Sequence, residues 1–189
     1  MKTPLITTLL VLTHSICLAQ YEYEPSSTYP FGQPNPNAPE QIKDFAPMIG
    51  MCHCKSENRT SDGSWAAPVD MTWTFAYLMN GMAVQDQTLK TDGKHSGSIR
   101  QYDADSSRWY VHYYSSSAPA TAPLSYWTGN HESGKITLYK PQQSPQGIDG
   151  FSKLTFYDFN ENGYRWIGEW VNIDESIVYP FWKITCKRE

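Results

Sequence analysis

From about residue 47 the chain is a succession of short alternating segments, each ended by a tight-turn signature, and few folds accept that pattern. Met71-Thr72-Trp73-Thr74-Phe75-Ala76-Tyr77-Leu78-Met79 places bulky apolar or aromatic groups on every odd position. Asn80-Gly81 follows, a pair suited to a type I′ hairpin because both central residues there need a positive φ. The same rule predicts ten strands, at about 47–56, 67–79, 82–90, 97–103, 108–115, 124–129, 135–140, 151–159, 163–171 and 177–187. The connectors hold Asp62-Gly63, Asp92-Gly93, Ser133-Gly134 and other turn residues, and nearly all are short enough to join neighbours. The expectation is all-β: a single antiparallel up-and-down barrel of about ten strands, whose closure removes exposed edges.

The residues ahead of this region are of three kinds. Lys2, an apolar stretch from Leu5 to Leu12 and Cys17-Leu18-Ala19 have the form of an export signal, residues 1–19, cut after Ala19. That predicts a secreted or periplasmic protein. A lipid-modified Cys17 fits less well, since His14 and Ser15 stand where apolar or small residues are needed. Residues 20–39, with many Pro, Ser and Asn, read as a mobile linker. Pro39 to Phe45 has proline and acid at its start, the signature of a short N-terminal helix able to cover one end of a barrel formed within residues 40–189. No later segment holds enough consecutive apolar residues for a spanning helix, so no membrane span is expected. The chain carries a net charge of −4, or −5 without Lys2, and has no basic run, which argues against nucleic acid as a partner.

Three of the four cysteines, Cys52, Cys54 and Cys186, follow the export signal, and exposure to oxidant makes a disulfide the default. Cys52 and Cys54 share one face of a strand and are poorly placed to bond each other. Cys186 lies on the last strand, which closure sets beside the first. Pairing Cys52 with Cys186 gives the longer strand overlap and is preferred, with Cys54 as the alternative partner. His53 points away from the three thiols, so no metal site is assigned.

Hairpin register assigns the faces. Around Asn80-Gly81, Met79 meets Met82, Tyr77 meets Val84, Phe75 meets Asp86 and Trp73 meets Thr88, which carries Asp86 into the apolar interior. With a four-residue loop from Ala104 to Ser107, Tyr102 faces Trp109 and Arg100 faces Val111, while Asp103 and Arg108 form an outward charge pair. Arg100, Tyr102, Trp109, Val111 and Tyr113 are then inward, and His112 outward. On the hairpin around Asn160 to Gly163 the tryptophan face, with Tyr157, Phe159, Tyr164, Trp166 and Trp170, is assigned inward. A buried Asp86 needs a partner, and Arg100 is the candidate.

Met48-Ile49-Gly50, Asp62-Gly63-Ser64-Trp65, Gly81-Met82-Ala83-Val84-Gln85-Asp86, Tyr102-Asp103 before Trp109, and Trp166 to Trp170 together resemble an uncharacterised family of bacterial domains of unknown function. That family is related to the calycins, the lipocalin and fatty-acid-binding-protein superfamily. The resemblance spans about residues 40–187 and implies a calycin-like barrel with a central cavity, but no reaction and no catalytic set. Lipocalin-like barrels commonly begin Gly-x-Trp; here Gly50-Met51-Cys52 puts a thiol where a tryptophan would plug the floor, which implies a roomier base.

The leading function is then binding of a small apolar or amphipathic ligand by Trp73, Phe75, Tyr77, Asp86, Arg100, Tyr102, Trp109, Tyr113 and Trp166, with Asp86, Arg100 and Tyr102 orienting its polar end. The alternative is an isomerase, cyclase, decarboxylase or hydrolase that uses Asp86 as acid or base. Haem binding would need an inward axial ligand, and His53 and His112 face outward, so no cofactor is expected. No Gly-x-Ser-x-Gly is present for a serine hydrolase. Asn58-Arg59-Thr60 matches a glycosylation acceptor.

Overall fold

A computed structural model of the chain describes residues 21–117 and 124–188. The expected export signal lies outside them. Ten strands run in chain order: β1 (Gly50–Asn58), β2 (Val69–Leu78), β3 (Ala83–Lys90), β4 (Ser96–Asp103), β5 (Arg108–Ser115), β6 (Ser125–Glu132), β7 (Lys135–Pro141), β8 (Gly150–Asn160), β9 (Gly163–Asn172) and β10 (Val178–Lys187). Each pairs antiparallel with its sequence neighbours, and β10 returns to β1, so the sheet closes as a meander. The inward positions of β2 are apolar: Met71, Trp73, Phe75 and Tyr77 are all buried. Outward positions such as Lys55, Asp70, Arg165 and Lys187 are exposed and charged, a wall suited to water rather than to lipid. Among the described residues no helix is long and apolar enough to cross a membrane.

The β2–β3 register is the one the hairpin predicts, with Phe75 opposite Asp86 and Trp73 opposite Thr88. The turn itself is longer. Leu78 and Ala83 are the last pair, Met79, Asn80 and Gly81 all have positive φ, and Met79 and Met82 are exposed rather than inward. The cause is the segment before the barrel. Residues 21–39, read from composition as a linker, lie across this hairpin: Tyr77 N–H donates to Phe31 O, Asn35 N–H to Gly81 O and Tyr23 N–H to Asn80 Oδ1. A Cβ on Gly81 would stand 2.4 Å from Gln33 O, so the crossing strap requires glycine as much as its φ of 76° does.

A 3-10 helix, Glu40–Met48, follows the strap. Ile42, Phe45 and Met48 are three apart, the spacing that stacks side chains on one face of a 3-10 turn, and all three are buried. Phe45 enters the barrel, with its ring 4.8 Å from that of Trp109 and 6.2 Å from that of Phe156. Burying such a side chain contributes roughly 1.5–3 kcal/mol. The helix closes the end that carries the β2–β3, β4–β5, β6–β7 and β8–β9 turns.

Three expectations change. The disulfide joins Cys54, not Cys52, to Cys186, and Cys52 is a buried free thiol. Because the helix runs to Met48, β1 begins at Gly50 and continues to Asn58. That later start and later end restore the overlap with β10 when Cys54 faces Cys186. On β8, Phe156 rather than Tyr157 is inward, opposite Trp166, because a bulge with Asp158 at φ 59° inserts an unpaired step before Asn160. Phe159, beyond the bulge, returns inward and packs on Tyr164. Finally, Asp103 and Arg108 are opposite in register but do not serve each other: Asp103 accepts from Ser106 Oγ and Asp105 N–H, and Arg108 Nε donates to Ser106 O.

In the β1–β2 connection, Asp62 Oδ1 accepts from Thr60 Oγ1 at 2.5 Å, from Ser64 N–H at 3.0 Å and from Ser64 Oγ at 2.8 Å. These donors, Thr60 first, lower its carboxyl pKa from 3.8 to about 2. A depressed acid adds stability above its unfolded value and loses it as pH falls through the folded one. Carboxyl NMR titration is expected to find the Asp62 midpoint near 2. A midpoint at the ordinary value would mean that this turn is open in solution.

Candidate functional site

The mouth half of the barrel, away from the 3-10 helix, encloses a cavity of about 360 Å³. Its apolar wall comes from inward positions of β2 and β5 to β10, among them Trp73, Trp127, Leu138, Leu154, Trp166 and Ile184. Thr88, Ser96, Ser98 and Ser152 add hydroxyls, and Gln142, exposed, stands at its outer margin. Thr88 and Ser96 bond each other at 2.8 Å, and Ser152 Oγ accepts from Trp127 Nε1 at 3.2 Å. Hydroxyls on a mainly aromatic and aliphatic wall suit a small molecule with few polar atoms.

Asp86 and Arg100 sit where the cavity meets the packed floor, 3 % and 2 % exposed. Neighbouring strands supply them: Asp86 follows from the β2–β3 register and Arg100 from that of β4–β5. Arg100 Nη1 donates to Asp86 Oδ1, and Trp73 Nε1 donates to Asp86 Oδ2 at 2.6 Å, so both carboxylate oxygens are engaged. The guanidinium carbon lies 4.8 Å from the Phe75 ring centroid, 5.1 Å from Phe45 and 5.8 Å from Phe156. Three aromatic faces and one carboxylate thus compensate the buried cation.

Of the nine residues predicted to meet a ligand, Trp73, Asp86, Arg100, Tyr113 and Trp166 line the cavity. Phe75, Tyr77, Tyr102 and Trp109 do not. They belong to the floor, where Phe45 packs against Phe75 and Trp109, and Tyr102 packs edge-on to Trp109. The base is filled rather than roomy, and the open volume lies at the other end. Sequence reasoning missed Trp127, Leu138, Leu154, Phe156 and Trp182. The β5–β6 register sets Trp127 opposite Val111, across a nine-residue connection too long to fix that pairing from the sequence. His112 is outward, with its ring 5.6 Å from that of Tyr126.

Asp44, Cys52 and Tyr164 lie at the closed end. Burial raises the Asp44 pKa, against the bond from Trp109 Nε1 at 2.9 Å and the nearby His131. Burial also raises the Cys52 thiol, opposed by Arg188, and raises the Tyr164 phenol far more. Among the described residues no group of three or more His, Cys, Asp or Glu is arranged to hold a metal ion.

No family model matches the chain, and no curated protein does. Among solved structures the chain is similar to a protein of unknown function from the DUF3598 family of Nostoc punctiforme, at 7 % identity and a TM-score of 0.26, over 80 % of this chain and all of that one.

Proposed function

We propose that this chain is an exported barrel that holds a small, mainly apolar molecule in its mouth-half cavity. The carrying observation is the roughly 360 Å³ enclosed by Trp73, Trp127, Leu138, Leu154 and Trp166, a volume within the usual range of ligand sites. The ten-strand closed meander fits a calycin-like barrel, an architecture whose larger members enclose ligands. The export reading rests on residues 1–19 and is supported by the Cys54–Cys186 disulfide. The predicted contacts Trp73, Asp86, Arg100, Tyr113 and Trp166 are retained in this proposal. Asp86 acts in it as a fixed polar floor. In the alternative reading as acid or base, each of its oxygens already accepts one hydrogen bond, from Arg100 and from Trp73.

Delipidated protein titrated with medium-chain fatty acids, the matching alcohols and simple phenols is expected to quench its tryptophan fluorescence, because Trp73, Trp127, Trp166 and Trp182 line the cavity. Leu154→Trp, which fills the space, should abolish that response while circular dichroism stays that of the parent. A parent protein that responds to none of the panel, or a filled variant that binds as before, would defeat the proposal.

A further inference from the structure

Two lysines occupy inward positions at the cavity mouth. On β3 Leu89 is outward and 47 % exposed, so Lys90 shares the inner face with Asp86 and Thr88, opposite buried Met71. Its side chain is 9 % exposed, and Nζ lies 5.6 Å from the Trp182 ring centroid. On β7 Lys140 continues the inward series of Ile136 and Leu138, opposite buried Ser152. Its Nζ stands 4.4 Å over the Trp127 ring and donates to Ser125 Oγ at 3.0 Å. Trp182 and Trp127 both line the cavity. Each ammonium therefore stacks on a tryptophan that lines the cavity, Lys90 largely buried and Lys140 partly exposed at the water boundary.

These charges are poorly neutralised. Asp92 lies 4.0 Å from Lys90 and 3.9 Å from Lys94, one carboxylate between two cations. The contacts of Lys140 are a hydroxyl and an indole, both neutral. Burial lowers its pKa, the sign of an ammonium short of compensation. At the floor, by contrast, Asp86 and Arg100 cancel each other, so neither offers a free charge to a ligand. The two inward charges at the mouth are thus both positive, on a chain whose net charge is −4. This polarity is the reverse of the sequence expectation, which put the orienting cation, Arg100, inside.

We propose that the mouth is a head-group site for an amphipathic anion, a carboxylate, sulfate or phosphate ester, held by Lys90 and Lys140 with its apolar part directed inward. The proposal rests on the ligand-binding reading and names the class of ligand. Lysine stems suit the position because their methylenes lie on tryptophan while the head meets the anion at the water boundary.

The test compares decanoate, decanol and decyltrimethylammonium on the delipidated chain and on a Lys90→Gln/Lys140→Gln variant of unchanged melting temperature. Decanoate should bind the parent about tenfold more tightly than decanol, with the cation weakest. The margin should shrink in about 1 M salt, where the screening length falls to about 3 Å. The variant should lose the preference for decanoate and keep its affinity for decanol. Equal binding of decanol and decanoate by the parent, or a preference that survives in the variant, overturns the head-group site and leaves the carrier reading intact. Failure of all three ligands to bind overturns both.

Discussion

Replacing Arg100 by Met is expected to cost about 3–5 kcal/mol and to lower the melting temperature by roughly 6–20 °C. The size follows from what remains. Asp86, 3 % exposed, would keep only the indole N–H of Trp73, and three phenyl rings would lose the cation they surround. Removal of one partner from a buried pair leaves a charge without compensation, which costs more than the pair's own net contribution. The double variant Asp86→Leu/Arg100→Met should therefore be less destabilised than the sum of its single changes, by about 1–3 kcal/mol, since only the Trp73 N–H is then unpaired. A thermal double-mutant cycle measures this directly. Additive losses would mean that water reaches the pair through the cavity and screens it. Because Asp86→Asn keeps a hydrogen-bond acceptor, loss of fold in that variant would assign Asp86 to structure rather than to proton transfer.

Strand existence was legible because β2 and its neighbours are two-faced and end at turn residues. The Asp86–Arg100 meeting was legible for the same reason, since two short loops leave no freedom of register on β2–β3 or β4–β5. Where a strand carries an extra residue, the alternation loses its meaning. Asp158 takes a positive φ that Asp tolerates but does not announce, and beyond it the inward and outward sets of β8 exchange. The division of the interior into floor and cavity was not legible at all. It depends on how deeply the 3-10 helix inserts Phe45, a tertiary choice that leaves no period in the chain. Tyr77, Tyr102 and Trp109 have the same composition and alternation as Trp73 and Trp166, yet only the latter two meet open space. Lys90 and Lys140 were readable by counting alternation past Thr88 and Leu138. A lysine at a strand end is ordinarily taken as a solvated edge, and the two tryptophans that hold these were not yet assigned.

Removing the disulfide, with Cys54→Ala and Cys186→Ala together, is expected to destabilise the barrel by roughly 2–5 kcal/mol, and Cys52→Ala by much less. The bond spans 132 residues, for which chain entropy alone gives about 5 kcal/mol. It also sits on the seam between β1 and β10, the one strand pair of the barrel whose members are not consecutive in the chain. Every other pair is consecutive in the chain, so the seam is where the closed ring would part into a sheet with two open edges. Reduction should therefore lower the melting temperature of the parent and of Cys52→Ala alike, and should not move that of the double variant. Non-reducing peptide mapping should find Cys54 linked to Cys186, with Cys52 alkylated only after unfolding, because it is 1 % exposed and burial raises its thiol pKa. A Cys52–Cys186 peptide would set the seam two residues out of register. It would move Ser56, now opposite Ile184 and bonded diagonally to Trp182 at 2.8 Å, to the position directly opposite Trp182 that Asn58 holds in this register.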